Sequence, residues 1–137
     1  MKAVFADSFY FFALLNPHDE AHRDALEIAH AFHGLIVSTA WVFTELGDGL
    51  SHPRDRPAFV RLLRRFSQNP MCKLLPPTPE LFRAGAALFQ NRADKDWSLT
   101  DCISFVAMGE EKLTDALTGD HHFLQAGFNA LLARPVR

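Results

Sequence analysis

The acidic residues best placed to do chemistry stand at the ends of apolar segments or inside them. Asp101 lies at the start of a helix that Ile103, Phe105, Val106 and Met108 make apolar around most of its circumference. Asp120 follows a short apolar strand that breaks at Gly119. Asp7 closes the first apolar run, residues 3–6, and Glu45 falls inside the apolar helical stretch 40–46, where a carboxylate is costly unless it is partnered. Carboxylates about 5 Å apart repel by roughly 3 kcal/mol per pair at an effective dielectric of about 20, so a cluster of them calls for a cation or raised pKa values. Oxygen-only ligands favour a hard divalent ion, Mg²⁺ or Mn²⁺, over zinc. Such an ion suits phosphodiester hydrolysis, because it lowers the pKa of water and offsets charge on phosphate oxygens. Asp101 has a second reading: Ser98, Leu99, Thr100 and Asp101 fit a capping box, in which the acid only satisfies backbone N–H groups.

The elements that must position these acids alternate between strand and helix. Residues 2–7 predict a strand, and residues 8–15 an apolar helix stopped by Asn16 and Pro17. Phe9, Phe12 and Ala13 share one face of that helix, as a core stripe or a dimer contact. Residues 19–33 read as an amphipathic helix with Gly34 at its C-terminal cap, and residues 35–38 as a second strand. The helix bearing Glu45 follows and breaks at Gly47 to Gly49. Residues 57–66 predict a further helix and residues 71–75 a third strand, closed by Pro76 and Pro77. Thr78, Pro79 and Glu80 then open a helix running to about Asn91. After the loop 92–96 come the helix of Asp101, a strand at 115–119 and a final edge strand at 130–133. This alternation implies α/β architecture with a parallel sheet and right-handed crossovers. Ligands of such sheets collect beyond the carboxyl ends of the strands, where Asp7 and Asp120 lie, so the four acids can meet at one edge.

Composition narrows the function. At 137 residues, with 48% hydrophobic and 22% charged residues and neither repeats nor linkers, residues 1–137 form one globular domain. No apolar run approaches the roughly 20 residues that span a bilayer, and a cytoplasmic protein without membrane partners is expected. A formal charge of −2 argues against binding nucleic acid by bulk charge. A local basic patch is nonetheless visible in Arg61, Arg64 and Arg65, which share a helix face as either a solvated surface or an RNA phosphate contact. Cys72 and Cys102 lack the paired spacing of a zinc or redox motif and are expected reduced and buried. His18 and His22 do not make a zincin helix, because Asp19 stands where Glu is required and Pro17 marks a helix start.

The order and context of the acids resemble those of the PIN-domain nucleases. Ser8 follows Asp7, Thr44 and Leu46 flank Glu45, residues 99–105 surround Asp101, and Leu117, Thr118 and Phe123 accompany Asp120. The chain looks most like the stand-alone VapC-type toxins of toxin–antitoxin pairs, and the likeness runs from Asp7 to Leu132. The resemblance implies a PIN-like three-layer α/β/α sandwich with a central, mostly parallel sheet of four to five strands. It implies endonucleolytic cleavage of single-stranded RNA by metal-activated water, with Mg²⁺ or Mn²⁺ as cofactor. On it, Asp7 and Asp101 are the main metal ligands, Asp120 completes the site, and Glu45 positions water or acts as a base. Ser8 and Thr118 support the acids by hydrogen bonds. Asp96 and Asp115 are expected to be structural, and His121 and His122 to face solvent. The implied partners are a homodimeric second copy, a small antitoxin and the RNA substrate. Phe9 departs from the family pattern, where the residue after the Asp-Ser pair is often smaller or polar.

Two other functions compete. In a non-catalytic PIN-like RNA-binding or scaffolding module, the acids would be caps and surface ion pairs. A haloacid-dehalogenase-like phosphatase or a response receiver shares the acid after the first strand, but Phe9 stands where the phosphatase needs a second Asp, and no receiver-like acidic pair is present.

Overall fold

The computed structural model describes residues 2–134. The first half comprises β1 (Ala3–Ala6), α1 (Ser8–Leu15), α2 (His22–Ala31), β2 (Leu35–Thr39), α3 (Ala40–Gly49) and α4 (Arg56–Gln68). The second comprises β3 (Cys72–Leu75), α5 (Pro79–Asn91), α6 (Leu99–Glu110), β4 (Asp115–Leu117), α7 (His121–Gln125) and β5 (Asn129–Ala130). The five strands form one sheet in the order β3-β2-β1-β4-β5, and every pairing is parallel. This matches the expected PIN-like architecture.

Alternate side chains of a strand point to opposite faces, so the complete burial of Val4, Phe5 and Ala6 in β1 means that both faces of the sheet are covered. Right-handed crossovers place α1 to α4 on one face, because β1, β2 and β3 step in one direction. The return from β3 to β4 and on to β5 places α5 to α7 on the other. Aromatic packing follows the same division. Phe11 of α1 meets Phe43 of α3 and Phe66 of α4 at centroid distances of 5.0 and 5.7 Å. On the opposite face Phe105 of α6 packs edge-on to Phe123 of α7 at 4.9 Å, and Phe123 reaches Phe5 of β1 at 6.4 Å.

The central strands β1 and β4 are hydrogen-bonded neighbours, yet their outgoing connections run to opposite edges of the sheet. A crevice therefore opens past their carboxyl ends, the topological switch point at which ligands of open α/β sheets bind. Asp7 and Thr118 emerge there, because the register pairs Ala6 with Leu117. The Ser38 hydroxyl donates to the carbonyl of Ala6 at 2.8 Å, fixing β2 to the end of β1, and Thr39 caps α3 by accepting from the N–H of Val42.

Several boundaries differ from the sequence expectations. The helix expected over 19–33 begins at His22, because Asn16 and Asp19 accept from the N–H groups of His18 and Ala21 and hold the preceding chain in turns. Gly34 is not a left-handed cap; a β-carbon there would strike the carbonyl oxygen of Lys2. α3 ends at Gly49, within the expected break, and Gly47 and Gly49 also leave room for the rings of Phe59 and Phe12. The last strand lies at Asn129–Ala130 rather than 130–133. In α1 the buried side is Tyr10, Phe11 and Ala13, while Phe9 and Phe12 are only half-buried. Cys102 is buried as expected, whereas Cys72 is half-exposed; both are free.

Candidate active site

Asp7 follows β1 and turns the chain into α1 as its N-cap residue, and it is 5% exposed. Its Oδ2 accepts a 2.8 Å hydrogen bond from the Thr118 hydroxyl. That hydroxyl in turn accepts from the N–H of Asp120 at 3.1 Å, so its proton is directed at Asp7. The next residue, Ser8, donates from Oγ to Oε1 of Glu45 in α3. Glu45 is half-buried and thereby acquires the partner that its apolar helix demanded.

Asp101 enters from the opposite layer as the third residue of α6. It forms the expected capping box: Ser98 Oγ accepts from the Asp101 N–H at 2.9 Å, and Asp101 Oδ2 accepts from the Ser98 N–H at 3.2 Å. The cap does not exclude a second role, since the same carboxylate faces the crevice. Asp120 caps α7 by accepting from the N–H of His122 at 2.9 Å. The imidazole Nδ1 of His122 lies 3.0 Å from Asp101 Oδ2 and 3.5 Å from Asp120 Oδ1, bridging the two carboxylates.

These groups line one cleft of about 410 Å³, bounded by Asp7, Ser8, Glu45, Asp96, Ser98, Asp101, Asp120 and His122 together with the rings of Phe9 and Phe12. Five carboxylates share it, and among the described residues neither lysine nor arginine lines it. The consequence is sharpest at Asp7. Burial, reinforced by the charges of Asp101 and Glu45, raises its carboxyl from 3.8 to about 7 despite the opposing hydrogen bond from Thr118. A cleft in which five carboxylates face a single imidazole fits a hard divalent cation, which would relieve the repulsion and return Asp7 to its ionised form.

The structure thus brings Asp7, Ser8, Glu45, Asp101 and Asp120 to one cleft, with Thr118 buried beside Asp7. Arg61, Arg64 and Arg65 are exposed on α4, and none lines the cleft. Asp115 is structural, binding Lys2 at 3.5 Å and Asn129 at 2.9 Å. Asp96 and His122, expected to be structural and solvent-facing, both join the cleft. The one local signal for His122 is its place two residues after Asp120, whose carboxylate accepts from the His122 N–H. Asp120, His121 and His122 also bring one donor atom each to within 4.8 Å of one another, a tighter grouping than the cleft carboxylates make.

A PIN domain family model matches residues 4–129. Comparison with curated protein sequences gives no match. Among solved structures, Mycobacterium tuberculosis VapC20, described as a sarcin-ricin loop cleaving toxin, superposes with a TM-score of 0.82 at 20% identity, over 91% of this chain and 95% of that one. VapBC2 from Rickettsia felis, bound to a DNA fragment from its promoter, gives 0.65 at 14% identity over 93% and 96%. FitAcB from Neisseria gonorrhoeae gives 0.64 at 16% identity over 93% and 94%. These likenesses agree in fold, the family match spans most of the sequence, and the chain belongs to the PIN domain family.

Proposed function

We propose that the protein is a divalent-metal-dependent endoribonuclease and the toxin of a toxin–antitoxin pair. The observation that carries the proposal is the five-carboxylate cleft at the switch point, with neither lysine nor arginine among the described residues of its lining and an Asp7 whose proton affinity is raised by burial and, to a lesser degree, by its acidic neighbours. Asp7, Asp101 and Asp120 would hold Mg²⁺ or Mn²⁺, which when bound supplies acidity to water and positive charge to phosphate oxygens. Thr118 keeps Asp7 aimed and ionisable by donating to Oδ2. Glu45, held by Ser8, takes the proton of the attacking water as the phosphodiester P–O bond breaks. Ser98 orients Asp101 through the capping box, and His122 fixes the spacing between Asp101 and Asp120.

RNA as the substrate and a small antitoxin as the partner are supported by the structural neighbours, one described as a sarcin-ricin loop cleaving toxin and another as a toxin–antitoxin complex. Arg61, Arg64 and Arg65 supply an exposed cationic face for RNA phosphates outside the acidic cleft. A second copy in a homodimer would cover exposed apolar side chains such as Phe82 and Phe89 of α5, which are 44% and 50% exposed. The test is incubation of purified protein with total cellular RNA in Mg²⁺ or Mn²⁺, beside EDTA and Asp7→Asn controls. Discrete fragments that vanish in both controls are expected; equal inertness of folded wild type and variant in every metal would refute the nuclease.

A further inference from the structure

The acidic cleft repels RNA by itself, so attraction for a nucleotide inside it must come from its other walls. The apolar ones are Phe9 and Phe12, two half-buried rings of α1. Each ring lies against a glycine: a β-carbon on Gly119 would collide with Phe9, and one on Gly49 with Phe12. The fold thus leaves space for both rings beside the carboxylates. Phe9 also lines a second hollow of about 510 Å³, together with Asp19, Glu20, Gly119 and Arg134, and so forms a wall common to the two cavities. A half-exposed aromatic wall next to a phosphate-cleaving site matches what unpaired nucleobases need, a flat apolar face on which to stack.

We infer that Phe9 is a substrate-stacking residue that holds the nucleobase flanking the scissile phosphate at the boundary between the two cavities. The inference rests on the ribonuclease proposal and adds a base-binding position to it. It gives a role to the ring that follows the Asp-Ser pair: Phe9 does not close the cleft but furnishes its base-binding wall.

The experiment uses the full chain carrying Asp7→Asn, so that RNA persists, and a short single-stranded oligoribonucleotide with 2-aminopurine placed at successive positions. One position is expected to be strongly quenched by stacking. Phe9→Leu should abolish that quenching and weaken binding about 5- to 150-fold, the range of base–aromatic stacking, whereas Phe9→Tyr should retain both. An abasic nucleotide at the quenched position should weaken binding to the same extent and make Phe9→Leu silent, a coupling that a merely structural role would not produce. Circular dichroism verifies that each variant is folded. Unchanged binding and quenching in folded Phe9→Leu, alongside metal-dependent cleavage by wild type, would overturn the stacking role and leave the nuclease intact. Absence of both oligonucleotide binding and cleavage in the wild type would overturn both.

Discussion

Asp7→Asn should make the metal-free protein more stable at neutral and alkaline pH. The wild-type carboxyl sits at about 7 in the folded chain against an ordinary 3.8, principally because burial disfavours its charge. The folded state therefore binds the proton more tightly than the unfolded state, so stability falls as pH rises through this interval. It is highest below the unfolded value and fully depressed above the folded one. Over the whole interval the loss is about 4 kcal/mol, of which about 3 kcal/mol falls between pH 5 and 8. Asn can still accept the hydrogen bond from Thr118 but carries no charge. The assay is urea unfolding of both proteins in EDTA at several pH values. The stability difference between variant and wild type should grow by about 3 kcal/mol from pH 5 to pH 8 in favour of the variant. A difference that stays constant across this range would refute the assignment of a raised, charge-sensitive Asp7.

Divalent ions should reverse that penalty: Mg²⁺ or Mn²⁺ should raise the wild-type melting temperature more at pH 8 than at pH 5, and calorimetry of Asp7→Asn should show no comparable increment. Thr118→Val removes the donor to Asp7 and the acceptor for Asp120 N–H, and should cost about 1–3 kcal/mol by urea unfolding. It should also move the pH dependence upward, since the Thr118 hydrogen bond lowers the Asp7 pKa. Ser104 is 1% exposed and its hydroxyl has no partner, so Ser104→Ala should be neutral or stabilise by about 1 kcal/mol in the same assay. Replacing Arg61, Arg64 and Arg65 with Ala should reduce the slope of log affinity for single-stranded RNA against log salt by about 2, and an unchanged slope would place RNA elsewhere.

Much of the fold was legible because its signals are local. Thr78, Pro79 and Glu80 announce α5, and the Ser98–Asp101 box announces α6 within one turn. The switch point follows from strand and helix alternation, which is why the sequence alone places Asp7 and Asp120 together. Glycine was only half legible where its role is tertiary: α3 does stop at Gly49, but Gly34, Gly47 and Gly49 also admit a carbonyl and two aromatic rings brought by distant segments, which no local pattern shows. The α1 face was misjudged for a related reason. Its eight residues are nearly all apolar, so periodicity could not tell Tyr10 and Phe11, which enter the core, from Phe9 and Phe12, which border the cleft. Asp96 was underrated because a loop acid carries no pattern of its own, and His122 because its one local signal, its place after Asp120, does not show that its ring reaches Asp101.

The most direct test is anomalous diffraction at the manganese edge from crystals grown with Mn²⁺. Wild type should show a peak in the cleft within ligating distance of Asp7, Asp101 and Asp120, and the peak should be lost in Asp7→Asn. A peak held only by Asp120, His121 and His122, beyond the reach of Asp7 and Asp101, would contradict the assignment of the metal to the carboxylate cleft.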